Sequence, residues 1–262
     1  MTRYRFIGVL LVLAGLLPVA AQGQTQAKPG KPPAPVVARV AVASNFADAA
    51  RQMAAAYGKQ SGHKIEISSA STGKLYAQIR SGAPFDVLLS ADAETPRMLV
   101  EEGLADGDTL QDYAIGRLVL WSRDPSRVKD GEALLRKGAI ERLAIANPDL
   151  APYGAAARES LDYLRRWEEL RPKLVLGENV GQATQFVVSG AAPLGLLPRS
   201  LVQEARKSHP GSGWEIPASW HAPIVQSAVL LQRGERNPAA RGFLKYLQSP
   251  AAKQRIRAFG YD

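Results

Sequence analysis

The chain has no cysteine, which removes disulfides, thiolate nucleophiles and cysteine-based metal sites together. Any stability must come from packing. Histidine is scarce as well: the three residues His63, His209 and His221 stand isolated, without the spacing that metal ligands keep. No direct metal ligand and no cofactor are expected. Nucleic-acid binding calls for a clustered basic stripe with interleaved aromatics, whereas Lys and Arg here are spread among Asp and Glu, as between Arg158 and Arg171. That is the pattern of a solvated face, and no nucleic-acid partner is expected.

Long apolar runs are missing too, with one exception at residues 7–17. It is shorter than the ~20 residues a membrane-spanning helix needs. Arg3 and Arg5 precede it and Pro18-Val19-Ala20-Ala21 follows, so residues 1–21 read as a secretory signal peptide with small residues at the cleavage point. A periplasmic location follows from that reading, and the absence of cysteine beside the cleavage point argues against a lipid anchor. Residues 22–38 contain AKPGKPPAPVVA, rich in proline and lysine, and read as a linker. Residues 1–38 hold Arg3, Arg5, Lys28 and Lys31 and no acid, which accounts for four of the nine net positive charges. The body is only mildly basic.

What the body does have is a repeated alternation of strand and helix patterns. Residues 40–43 form a short apolar run, and Phe46, Ala49, Ala50, Met53 and Tyr57 then recur at helical spacing up to Gly58. Ile65 and Ile67 alternate in a second strand, Leu75 and Ile79 mark a short helix, Gly82-Ala83-Pro84 breaks it, and residues 87–89 form a third strand. A helix is expected at 96–102 and a strand at 116–121. A second set follows: strand 143–146, a helix to about Trp167, strand 174–176, and a helix bearing Val180, Ala183, Val187 and Val188. The tail holds an apolar run at 224–231 and two helices that begin with Pro238 and Pro250. The α/β order predicts mainly parallel sheets flanked by helices. Two lobes are expected, 39–120 with 223–262 and 121–222, hinged near Trp121 and near residues 221–223, with a ligand cleft at the carboxyl ends of the strands.

Small hydroxyl and amide residues sit where strand gives way to helix. Ser44-Asn45 follows the first strand and Ser71-Thr72 the second, positions where unpaired N–H groups and a positive helix end favour an anion. Taken singly, Ser44 and Thr72 read more readily as helix N-caps, the commonest use of such residues at these positions. Ser71 to Lys74 also fits the S-x-x-K pattern of serine acyl-enzymes, but the S-D-N and K-T-G elements that accompany it are absent, so a catalyst is not expected. Asp48 and Asp86 lie near these motifs and read as structural or supporting residues.

The ordered set VAVASNFADA (40–49), SSASTGKLYAQIRSGAPFDVLLSAD (68–92), IANPDLAPYG (145–154), GENV (177–180) and APLGLLP (192–198) resembles the molybdate-binding proteins of ABC-type importers. The resemblance covers nearly the whole body. It implies a two-lobed type II periplasmic binding protein fold, a monomer that closes on molybdate or tungstate and delivers it to an inner-membrane permease. Carried over by position, it implies oxyanion donors at Ser44 and Thr72 by hydroxyl and N–H, at Tyr153 and Val180 by N–H, and at Asn45 by its amide. One departure stands out. Many members carry a ligand tyrosine where this chain has Pro198, and Asn45 is expected to compensate. A dianion with acceptor oxygens only suits such a donor set; sulfate shares that property, and phosphate, which keeps a proton, is the weaker alternative.

Overall fold

The computed structural model describes residues 1–2 and 35–262. The expected signal peptide and most of the expected linker lie outside the described residues. The first sheet opens with β1 (Val37–Ala43), a 3-10 turn at Ser44–Phe46 and α1 (Ala47–Ser61). It continues through β2 (Lys64–Ala70), α2 (Thr72–Arg80), β3 (Val87–Leu89), α3 (Glu94–Glu101) and β4 (Ala105–Gly116). The second sheet is made by β5 (Leu118–Ser122), α4 (Gly131–Lys137), β6 (Leu143–Ala146), α5 (Pro152–Tyr163), α6 (Trp167–Leu170) and β7 (Leu174–Gly177). It closes with α7 (Val180–Val188), β8 (Leu194–Pro198), α8 (Arg199–Ala205) and β9 (Ser212–Glu215). The chain then returns to the first lobe as β10 (Ile224–Leu231), α9 (Pro238–Leu247) and α10 (Pro250–Ala258).

The two sheets share one plan. Their strand orders are β2-β1-β3-β10-β4 and β7-β6-β8-β5-β9. In each, three strands pair in parallel, and the strand that follows a crossing between lobes inserts antiparallel beside them. The inner parallel strands β3, β6 and β8 are short and apolar because helices cover both faces, and all three are buried along their whole length. Val40, Val42 and Leu89 pack with Phe46, Met53 and Phe243 on one face of the first sheet, and Ala41 and Leu88 with Leu75 and Leu99 on the other.

Three details depart from the expectations. First, β4 is a 12-residue strand that the sequence pattern does not reveal; its residues are largely polar and half-exposed, so apolar alternation is weak. Second, the strand expected at 116–121 is two strands. β4 ends at Gly116 and β5 begins at Leu118, so the crossing lies at Arg117 and the expected division at 120/121 falls inside β5. Trp121 is fully buried in the second lobe rather than at a hinge. Third, the expected 96–102 helix starts earlier, at Glu94, because the Asp92 carboxylate accepts from Thr95 N–H at 2.8 Å and Thr95 Oγ1 at 3.1 Å.

Candidate oxyanion site between the lobes

Four strand-to-helix turns come together at the carboxyl ends of the parallel strands. Ala43 and Ala91 of the first lobe pack in one cluster with Ala146, Ala151, Tyr153 and Val180 of the second. Gly73 N–H donates across the cleft to Leu150 O at 3.0 Å, and Lys74 Nζ reaches Glu178 Oε2 at 2.6 Å. The lobes are therefore in contact around the turns. A cleft of about 630 Å³ is walled by Thr72, Gly73, Asp92, Leu150 and Val225, and a smaller cavity of about 350 Å³ by Ser44, Asp48, Gly181 and Thr184. Asn45, Tyr153 and Val180 line neither.

The local chemistry of each turn leaves specific donors over. At α5, Pro152 occupies the first position and has no N–H, and Gly154 N–H donates to Ala151 O at 2.8 Å. Tyr153 N–H is thus the helix-start donor that remains. At α7, Asn179 caps by accepting Gln182 N–H at 3.1 Å, which leaves the earlier Val180 N–H uncapped. Both side chains are buried in the second lobe's core, so only their backbones could serve an anion.

The two hydroxyl turns behave differently from helix caps. Neither Ser44 nor Thr72 caps a helix through its side chain. Thr72 Oγ1 accepts Ala91 N–H at 3.2 Å, and a hydroxyl that is already accepting keeps its own hydrogen to donate. Ser44 is half-exposed and faces the start of α7. A further hydroxyl belongs to the Ser71-Thr72 turn but is not among the donors carried over from the family: Ser71 Oγ is buried, at the N-cap of α2, and has no hydrogen-bond partner among the described residues. Burying a hydroxyl unpaired is costly. The sequence signal for it is its place beside Thr72 where the second strand gives way to a helix.

Asn45 requires a correction. Its side chain is buried, and both amide hydrogens are used within the protein, on Gln226 Oε1 at 2.7 Å and Tyr261 Oη at 3.1 Å. As arranged, the amide cannot donate to a ligand, and Asn45 has only its backbone to offer. Its partners lie 181 and 216 residues away, beyond any local reading. Asp48 pairs with exposed Arg51, and Asp86 Oδ2 accepts Arg39 N–H at 2.7 Å, so both are structural. Lys74, the would-be base of an acyl-enzyme, is ion-paired to Glu178 and forms no hydrogen bond with Ser71.

A family model described as bacterial extracellular solute-binding protein matches residues 38–262. The chain belongs to this family. Among its relatives is the molybdate-binding protein ModA of Azotobacter vinelandii, 43% identical over 253 residues, 97% of this chain and 96% of the relative. The molybdate-binding protein ModA of Rhodobacter capsulatus is 44% identical over 221 residues, covering 84% and 86%. In three dimensions the fold is similar to the Azotobacter vinelandii periplasmic molybdate-binding protein, with a TM-score of 0.82 at 38% identity, covering 86% of this chain and 98% of that one. The two-lobed periplasmic binding protein fold read from the family motifs is the fold observed. The named relatives of this solute-binding family are binding proteins rather than enzymes.

Proposed function

We propose that this chain is a periplasmic receptor that captures molybdate, and tungstate with it, for import by an ABC transporter. The observation that carries the reading is the set of hydroxyl and helix-start N–H donors at the converging turns in a chain 43–44% identical to molybdate-binding proteins. Ser44 and Thr72 would give hydroxyl and N–H donors, Tyr153 and Val180 N–H donors, and Asn45 its backbone alone. Ser71 joins them as an unpaired buried hydroxyl. A fully ionised tetrahedral dianion accepts from all of these and needs no acceptor in return. Helix-start dipoles at α2, α5 and α7 add favourable charge. Capture would be as a monomer, with the closed form presented to the membrane permease.

Sulfate is the competing ligand, because it too is fully ionised and differs mainly in size. Titration of the four tryptophans' fluorescence with molybdate, tungstate, sulfate and phosphate decides the matter. Saturable binding of the first two at micromolar concentration or below is expected; binding of sulfate alone, or of none, overturns the proposal. At a ligand concentration about 100 times Kd, unfolding free energy should rise by roughly 2.7 kcal/mol, or about 5–10 °C in Tm for a chain of this size.

A further inference from the structure

Behind the turns lies a buried polar network that crosses from lobe to lobe, and one carboxamide sits at its centre. Gln226, on β10, has no exposed surface. Its Oε1 accepts from Asn45 Nδ2 at 2.7 Å and lies 3.2 Å from Tyr113 Oη, whose single hydrogen it shares with Ser90 O at 2.9 Å, and its Nε2 donates to Tyr153 Oη at 3.3 Å. With Asn45 Nδ2 turned toward it, a reversed carboxamide would set Nε2 against Asn45 Nδ2, donor against donor. Tyr261 extends the same network, accepting from Asn45 Nδ2 and bonding Asn45 O at 2.7 Å and Ser200 Oγ of the second lobe at 3.0 Å. Burial pushes the Tyr113, Tyr153 and Tyr261 phenols up from their ordinary pKa, so the network keeps its protons.

The backbone is shaped for this arrangement. The pairing of β10 with β4 slips between Gln226 and Ser227, where Ala114 and Asp112 are the partners and Tyr113 is the extra residue. Such a bulge re-aims side chains, and here it lets Tyr113 Oη meet Gln226. At Gly116 any β-carbon would lie 2.1 Å from Tyr153 Oη, so a side chain at the end of β4 would expel the phenol from the network.

Asn45 and Tyr153 belong to turns in opposite lobes, and in the proposed function each gives the anion its backbone N–H. Their side chains are joined through one carboxamide. We propose that Gln226 is a positioning residue that sets the distance between these two turns, and so sets the size of oxyanion the site accepts, without touching the ligand. This rests on the oxyanion-receptor reading above. Groups that orient a binding shell from behind typically matter by about 10- to 100-fold in affinity.

The test is calorimetric titration of the full receptor and of Gln226→Met and Tyr153→Phe with sodium molybdate and with sodium sulfate, alongside thermal melts without ligand. Methionine keeps the length of the side chain and removes every hydrogen bond; phenylalanine removes only the carboxamide's bond to the second lobe. The expected result is a molybdate Kd raised about 10- to 100-fold in Gln226→Met and by a smaller factor in Tyr153→Phe. Discrimination of molybdate over sulfate should narrow in both, since a loosened site no longer excludes by size. A purely structural role would lower the melting temperature and leave both Kd values of the folded protein within about twofold, and that result overturns the inference. If Gln226→Met does not fold, Tyr153→Phe decides, unchanged selectivity being the overturning outcome. Failure of the unaltered protein to bind molybdate overturns the receptor reading itself, which separates the two.

Discussion

Individual hydroxyls should carry much of the binding energy. Hydrogen bonds to a charged partner contribute about 1.5–3 kcal/mol, so Ser44→Ala and Thr72→Ala should each weaken molybdate binding by one to two orders of magnitude in a calorimetric titration. Unchanged affinity in both would return them to the status of turn residues. Ser71→Ala is the more informative variant. Its hydroxyl has no protein partner among the described residues, so removing it should not destabilise the ligand-free protein, and a loss of affinity would make it a ligand group. At the other edge of the lobe contact, Asp262 binds Arg117 and Arg199. Burial would raise its carboxyl pKa, but the hydrogen bonds and charges of Arg199 and Arg117 outweigh that and hold it below 3.8. A lowered folded value means stabilisation present above the ordinary pKa and lost as pH falls through the lower one. Melting curves between pH 6 and pH 3 should therefore show a steeper loss of stability in the unaltered protein than in Asp262→Asn.

Among the elements, the paired turns fall on the strand ends where sequence and structure agree best. The runs at 40–43, 87–89 and 143–146 were legible because strands buried on both faces must be apolar throughout. Pro238 and Pro250 marked helix starts, since their missing N–H costs nothing there, whereas Pro152, read as part of a turn, also opens one. β4 was not legible, and neither was its end at Gly116, because a polar, half-exposed strand has no strong alternation to read. The site divides the same way. Thr72 falls at a strand-to-helix turn that the pattern marks, and Tyr153 and Val180 enter only through the family resemblance, whereas the occupation of the Asn45 amide depends on Gln226 and Tyr261, far along the chain. Two variants test this level. Gly116→Ala must displace the Tyr153 phenol and should destabilise the protein by about 1–3 kcal/mol, as overpacking does. Glu178→Gln breaks the ion pair to Lys74 between the lobes. Both side chains are substantially exposed, so ligand release measured by stopped flow should speed up by no more than about fivefold, and less in high salt.

For the molecule as a whole, the two sheets are built alike but not closed alike. All five strands of the second sheet come from one stretch, Leu118 to Glu215. The first sheet is interrupted: β4 pairs only with β10, and β10 arrives more than a hundred residues later. Synthesis delivers the chain from its amino end, so the second lobe can fold while the first still lacks a central strand. Gln226 and Tyr261 are part of that late delivery. An incomplete chain would present the hydroxyl turns without the carboxamide and phenol that hold Asn45 in place. The seam between the lobes thus acts as an order-keeping device, under which competence to bind is the last property the folding protein acquires.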